Sequence, residues 1–160
     1  MICHVVHYHN PQASNQSGLW GVLLNECIFP VEGEYMSTAD FLNRGRDKAY
    51  ALQGHVQANP DTLSLELKDV ELLSPVKSPG RVLCQGANYR QHMIDSGMNP
   101  DDKKFNMFFN KSCASISSPN TDIVKPNHVK LLDYEVELTL VLGKEVTETV
   151  TVDDSNLHEY

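Results

Sequence analysis

The chain reads Leu132-Asp133-Tyr134-Glu135-Val136-Glu137-Leu138-Thr139-Leu140-Val141-Leu142-Gly143 near its C-terminus, an apolar and β-prone run that contains two glutamates. Side chains alternate between the two faces of a strand, so a strand here would place Glu135 and Glu137 on the same face. Two neighbouring carboxylates repel each other unless a cation lies between them, and a divalent metal bound through oxygen is such a cation. The run predicts a strand with two metal ligands. A solvated strand face that carries two glutamates is the alternative that this pattern leaves open.

A second motif lies upstream, where the residues from Val82 to Asp95 predict a strand, a glycine turn and the start of a helix. We expect Asn88 to cap this helix. His92 and Asp95 would then lie on one helical face, as a base that is oriented by an acid. An ordinary surface pair is the alternative. The run Met107-Phe108-Phe109-Asn110-Lys111 predicts a buried strand that ends in a lysine, a residue that commonly extends to solvent at such a position.

Taken together, these motifs resemble the fumarylacetoacetate hydrolase family. The resemblance rests on a G-x-N-Y-x-x-H segment, on the lysine after Phe-Phe-Asn, and on the D-Y-E-V-E-L block at residues 133–138. It is clear from about residue 73 to residue 160 and thin before that. The positions that match the G-x-N-Y-x-x-H segment are Gly86, Asn88, Tyr89 and His92.

The resemblance implies a metal-dependent enzyme that acts on 2-oxo acids or 1,3-dicarbonyl acids, mostly by hydrolysis of a carbon–carbon bond. Decarboxylases and isomerases are relatives. Glu135 and Glu137 match metal ligands for Mg²⁺, with Mn²⁺ and Ca²⁺ as alternatives, and His92 with Asp95 matches the catalytic dyad. Lys111 matches a catalytic lysine that would hold the substrate carboxylate or a developing oxyanion. The complete protein is expected to be a homodimer with a small-molecule 2-oxo or dicarbonyl acid as its substrate.

Two departures from the family pattern bear on this interpretation. The family's third carboxylate ligand lies on a strand beyond the E-x-E block, so we expect a chain that is truncated at its C-terminus. In some acylpyruvase and oxaloacetate decarboxylase relatives an arginine precedes Asn-Tyr, whereas Ala87 stands there in this chain. The first departure concerns the completeness of the metal site, and the second concerns the identity of the substrate.

The leading hypothesis is a carbon–carbon hydrolase in which His92 deprotonates a water that adds to the substrate carbonyl. A decarboxylase or a keto–enol isomerase of the same family is the alternative, because all three reactions pass through an enolate. A non-catalytic, truncated fragment is the third possibility, since half of a catalytic domain leaves strand edges unpaired.

Composition excludes several other classes of protein. The 160 residues carry a formal net charge of −8, so the surface should repel nucleic acid and anionic membranes, and neither is an expected partner. The four cysteines have no zinc-site spacing, which indicates reduced thiols. The N-terminus lacks the pattern of a signal peptide, and no apolar run approaches the length of a membrane span. We therefore expect a cytoplasmic protein.

The predicted fold is α+β, with two parts. Residues 1–74 form a small N-terminal α/β domain, with a strand at 3–9, a hairpin at 19–31 around Asn25 and Glu26, a helix that Ser37 caps and Gly45 weakens, and a strand at 62–67. The segment 74–80 contains two prolines and a glycine, which marks the boundary. Residues 75–160 form the first part of a mainly β catalytic domain, in which 132–142 and 146–152 are further strands.

Overall fold

The computed structural model describes residues 2–13, 18–77 and 79–160. Close contacts group the chain into two units, one made of residues 1–77 and 117–160 and the other of residues 78–116. The predicted domain boundary after residue 74 stays a prediction, and Ser78 in the predicted boundary segment lies outside the described residues. The described residues contain seven strands and three α-helices, in agreement with the predicted α+β class.

Five strands of the first unit form one antiparallel sheet, in the order β4-β3-β2-β1-β5. A tight turn joins β2 to β3, whereas two helices separate β3 from β4 and β5 pairs with β1 from far along the chain. The prediction of a strand at 62–67 is wrong for most of its length, because Leu63 is 91% exposed and pairing begins only at Leu65. The strands are β1 (Val5–His9), β2 (Leu19–Leu24), β3 (Cys27–Pro30), β4 (Leu65–Glu66) and β5 (Glu71–Leu72).

The predicted hairpin between β2 and β3 is confirmed. Asn25 and Glu26 both have positive φ angles, 51° and 62°, as the two central residues of a type I′ turn require. This turn fixes the register in which Val22 lies opposite Phe29. The register places both side chains on the face of the sheet that packs against the helices.

Two consecutive helices, α1 (Thr38–Arg44) and α2 (Arg46–Ala58), cover that face of the sheet. The predicted cap is confirmed, since the Ser37 side chain accepts a hydrogen bond from Asp40 N. Gly45 separates the helices, and a Cβ atom there would lie 2.6 Å from the Phe41 ring. The core between sheet and helices is made of buried residues: Trp20, Val22, Phe29, Val31, Tyr35, Phe41, Ala49 and Val56.

The segment that leaves β5 is hydrogen-bonded to the first unit as far as Lys77. His7 Nδ1 lies 2.8 Å from the Ser74 carbonyl, and Thr38 Oγ1 donates to the Pro75 carbonyl at 2.8 Å. The Lys77 ammonium donates to the Tyr35 carbonyl at 2.8 Å. A proline has no N–H and interrupts regular strand pairing. The side-chain hydrogen bonds therefore supply partners for backbone carbonyls that lie outside the strands.

The second unit contains a two-stranded antiparallel sheet of β6 (Val82–Gly86) and β7 (Met107–Lys111), and the helix α3 (Arg90–Asp95) that follows β6. The predicted order of strand, turn, helix and strand is confirmed, but the prediction that the 107–111 strand is buried is wrong, because all five of its residues are exposed. Two short 3₁₀ turns, Pro100–Asp102 and Cys113–Ser115, lie in this unit.

The predictions of strands at 132–142 and 146–152 are wrong for this structure. A strand exists only with a hydrogen-bonded neighbour, and no strand among residues 2–13, 18–77 and 79–160 includes either segment. Tyr134, Val136 and Leu140 are at least 77% exposed. A 3₁₀ turn at Leu157–Glu159 agrees with the predicted short helical turn near residue 160. None of the described helices is both long enough and apolar enough to cross a membrane.

Candidate active site

The turn between β6 and α3 sets where the helix begins. Ala87 has a φ of 50°, a left-handed conformation that is uncommon for a residue with a Cβ atom. The prediction that Asn88 caps α3 is wrong, because the N-cap position is occupied by Tyr89, whose side chain makes no capping bond. The left-handed residue redirects the chain, so that the helix begins one residue later than the predicted cap would allow.

The C-terminus of α3 is closed by a Schellman motif. Gly97, with a φ of 76°, follows the C-cap residue Ser96. Its N–H donates to the Ile94 carbonyl, and Met98 N–H donates to the Met93 carbonyl at 2.8 Å. A helix of only six residues is therefore terminated by backbone hydrogen bonds at its own carbonyls.

His92 and Asp95 both lie on α3, as predicted, and both are exposed. The Asp95 carboxylate accepts a hydrogen bond from Gln91 Nε2 at 2.8 Å. Gln91 is a contact that the sequence interpretation missed, although glutamine and aspartate four residues apart on a helix are a known stabilising pair. The catalytic roles of His92 and Asp95 stay predictions.

Lys111 is the last residue of β7, where the sequence placed it. It lies opposite Val82 in the register of the hairpin, and it is exposed. Because side chains alternate along a strand, Lys111 shares a face with Phe109 and Cys84. The ammonium group thus stands at the end of a largely apolar strand face in the same unit as α3.

Glu135 and Glu137 lie in the segment that groups with the first unit, and both are exposed. Two carboxylates are the hard oxygen donors that Mg²⁺, Mn²⁺ and Ca²⁺ prefer, so the chemistry of this pair fits such an ion. In residues 2–13, 18–77 and 79–160, no group of three or more histidine, cysteine, aspartate or glutamate side chains comes together as a metal site. The metal-ligand roles of Glu135 and Glu137 stay predictions, and the strand that was to place both on one face is absent from the described residues.

An ion pair near the predicted dyad is one that the sequence did not reveal. Arg90, the first residue of α3, donates to both carboxylate oxygens of Asp101 at 2.8 and 3.2 Å. The Arg90 guanidinium holds the pKa of the Asp101 carboxyl below its usual value, through the hydrogen bond and the opposite charge. No periodic spacing predicts this pair, because the intervening loop has to fold back first.

Comparison with known proteins shows which family has these motifs. Residues 81–158 match the family model for the C-terminal domain of fumarylacetoacetate hydrolase. The chain belongs to the fumarylacetoacetate hydrolase family. The matched region includes α3, β7 and the segment with Glu135 and Glu137. The predicted family is therefore confirmed, and with it the mainly β class of this region.

Three curated relatives illustrate the similarity. A human mitochondrial oxaloacetate tautomerase is 36% identical over 139 residues, which are 86% of this chain and 42% of the relative. An oxaloacetate tautomerase of Bacillus subtilis is 35% identical over 97 residues, 59% of this chain and 32% of the relative. A fumarylacetoacetate hydrolase domain-containing protein 2 homolog of Dictyostelium discoideum is 27% identical over 84% of this chain and 45% of the relative. The chain thus spans less than half the length of each of these relatives.

Proposed function

We propose that this protein acts on a 2-oxo dicarboxylic acid of the oxaloacetate type and interconverts its keto and enol forms with the help of a divalent metal. The proposal is carried by one observation, the 36% identity over 86% of the chain to a protein named as an oxaloacetate tautomerase. It corrects the emphasis of the sequence interpretation, in which isomerisation was the alternative and carbon–carbon hydrolysis the leading hypothesis.

Glu135 and Glu137 would hold the metal, Mg²⁺ most readily and Mn²⁺ or Ca²⁺ as alternatives, because they offer hard oxygen donors. A bound divalent cation would supply Lewis acidity toward the 2-oxo group. Both carboxylates are exposed, so an ion from solvent can reach each of them.

His92 is the proposed base, and it transfers a proton between C3 and the oxygen on C2. In the keto-to-enol direction the imidazole removes a proton from C3, the C2–C3 double bond forms, and the C2 oxygen receives a proton. The atoms balance without an oxidant or a second substrate. An imidazole is suited to both steps, because one ring nitrogen can accept a proton while the other carries one.

Lys111 and Asp95 are proposed to support this transfer. The Lys111 ammonium would hold a substrate carboxylate or the enolate oxygen by charge-assisted hydrogen bonds. Asp95 would orient the imidazole, with Gln91 holding one oxygen of its carboxylate at 2.8 Å. Gln91 would thereby limit the rotation of Asp95.

Carbon–carbon hydrolysis is the second candidate, and the family model's own description as a hydrolase domain favours it. In that reaction His92 would deprotonate a water that adds to a carbonyl carbon, and collapse of the tetrahedral oxyanion would expel an enolate carbon. Decarboxylation of the same class of acid is a third possible outcome. We also propose a cytoplasmic homodimer that binds neither nucleic acid nor membranes, in line with the net charge of −8.

The test uses an extended protein, in which the C-terminal part of the human relative follows Tyr160. The enol form of oxaloacetate is added with Mg²⁺ or Mn²⁺, and loss of the enol's ultraviolet absorbance is followed against the spontaneous rate. Carbon dioxide release and pyruvate formation from acylpyruvates are measured in parallel. Accelerated loss of the enol with neither product supports a tautomerase. Pyruvate formation or carbon dioxide release as the dominant reaction would replace the proposal by hydrolysis or decarboxylation, and a folded, metal-binding but inert protein would overturn all three.

A further inference from the structure

The loop that follows α3 returns to the beginning of the helix. Asn99 Oδ1 accepts a hydrogen bond from Asp101 N at 3.1 Å, and this turn directs the Asp101 side chain toward Arg90. Both oxygens of Asp101 are bound by the guanidinium of Arg90. Such bidentate pairing fixes orientation as well as distance. The loop is therefore tied to the first residue of α3.

A second tie lies just before the helix. The Lys103 ammonium donates to the Ala87 carbonyl at 2.9 Å. Ala87 is the residue with the left-handed backbone, a conformation that persists only where its surroundings hold it. Lys103 thus stabilises the turn from which α3 departs.

The Schellman motif at Gly97 is the third attachment between the loop and α3. It binds the start of the loop to the last turn of α3 through the Met93 and Ile94 carbonyls. The loop is attached at the C-terminus of the helix by backbone bonds, at its N-terminus by Arg90 and Asp101, and at the preceding turn by Lys103. All of these residues belong to one unit of the structure.

We propose that Arg90, Asp101 and Lys103 are positioning residues, which make α3 and the loop at 96–103 a single rigid piece that sets the location of His92. The effect on catalysis rests on the proposed function, whereas the rigidity of the loop and α3 does not. Opening of the loop away from α3 would then require both side-chain contacts to break. Any motion that admits substrate carries His92 and Asp95 with the loop.

The length of α3 explains why ties of modest strength matter. A helix of six residues does not hold itself together, because nucleation is costly and few bonds follow it. Arg90 and Asp101 are 64% and 71% exposed, and a single exposed pair contributes little. The Arg90–Asp101 pair and the Lys103–Ala87 hydrogen bond both oppose the opening of the same short loop. Removal of either should therefore increase the local opening of the loop and of α3.

The test is residue-resolved amide hydrogen exchange on the 160-residue protein. The reporters are Met93, Ser96, Gly97 and Met98, whose N–H groups have assigned acceptors at α3. Asp101→Asn is expected to accelerate their exchange about two- to fivefold, the range of an exposed ion pair. Lys103→Met is expected to act in the same direction, and added salt should accelerate exchange in the unmodified protein but not in Asp101→Asn.

Asp47→Asn is the matched control, since Asp47 is 98% exposed and its contact with Arg46 at 3.9 Å lies in the other unit. The N–H groups of Leu23 and Val31, bonded within the first unit, report on global unfolding. Unchanged exchange at all four reporters in Asp101→Asn would overturn the proposal. So would equal acceleration at Leu23 and Val31, which would show that Asp101 acts on the whole fold.

A kinetic measurement on the extended protein separates positioning from stability. Asp101→Asn is expected to lower kcat by up to about fivefold with little change in KM, because the fraction of molecules that hold His92 in place falls by no more than the opening equilibrium rises. Asp101→Glu, which keeps the negative charge, is expected to recover part of the loss. A loss that appears only in KM would contradict the positioning role. If the extended protein is inert but Asp101→Asn still accelerates amide exchange, the proposed function is overturned. The role of the Arg90–Asp101 pair in holding the loop on α3 is then still supported.

Discussion

The imidazole of His7 stacks on the indole of Trp20, with ring centroids 4.8 Å apart, beneath the segment that leaves the first unit. His7 is 6% exposed. Burial lowers the pKa of His7 from its ordinary value of 6.5, the positive charge of Lys77 acts in the same direction, and the hydrogen bond to the Ser74 carbonyl opposes them. The folded first unit therefore prefers a neutral imidazole.

This relationship predicts an acid-sensitive fold. Since the unfolded chain binds a proton more readily than folded His7, the stability that neutral His7 contributes is present above pH 6.5 and is lost as the pH falls from there through the lower, folded-state pKa. Urea unfolding, followed by fluorescence of the single tryptophan, should show a lower midpoint at about pH 5.5 than at about pH 7.5. His7→Phe should reduce this difference. His4→Phe, at an exposed position, should keep it, and an identical pH response in all three proteins would exclude His7 as the cause.

The core beneath the sheet should depend on Phe41. Its ring is 3% exposed and stacks on Trp20 at 4.2 Å, with the Tyr35 ring edge-on at 5.1 Å. Phe41→Ala should lower the free energy of unfolding by about 3–5 kcal/mol, through lost burial and a residual cavity. Leu63→Ala at a 91% exposed position should change it by less than about 0.5 kcal/mol. Equal effects in a chemical denaturation experiment would show that Phe41 is not a core residue.

The sequence predicted what depends on local chemistry. The hairpin at Asn25 and Glu26 follows from turn geometry, and the helix start at Ser37 follows from capping, so neither needed the rest of the molecule. The family could be read from the motifs that include His92 and Glu135, because a match of motifs needs no knowledge of distant contacts.

Features that depend on distant partners could not be predicted in this way. A strand at 132–142 requires a neighbouring strand, and alternation in the sequence does not supply one. The Asn88 cap was wrong because α3 begins one residue later, after a left-handed Ala87 whose carbonyl accepts a hydrogen bond from Lys103, sixteen residues away. Arg90 and Asp101 meet only after the intervening loop has folded back.

Metal affinity should depend on both glutamates. In the 160-residue protein, isothermal titration with Mg²⁺ and Mn²⁺ should show weak binding, because two carboxylates leave most of a six-coordinate shell to water. Glu135→Gln or Glu137→Gln should weaken it further, and Glu148→Gln, at an exposed position of the same unit, should not. Equal affinities in all of these proteins would remove the two glutamates from the metal site.

The 160-residue protein should also associate with itself and turn over little acylpyruvate or oxaloacetate. Tyr134 and Val136 are 86% and 89% exposed in an apolar run without a paired strand among the described residues. Such β-prone segments associate edge to edge. Val136→Lys should shift the protein toward a monomer in size-exclusion chromatography. A monodisperse, unmodified monomer with robust metal-dependent turnover would contradict both parts of this prediction.

The most direct test of the proposed function is the rate of enol conversion by the extended protein with His92→Ala. His92 is assigned the proton transfer, so kcat should fall by a factor of about 10² or more, whereas the Mg²⁺ dissociation constant should stay nearly unchanged. His55→Ala, at an exposed histidine on α2, should leave kcat unaltered. An unchanged kcat in His92→Ala, with the His55→Ala control also unchanged, would show that another group moves the proton and would contradict the proposed mechanism.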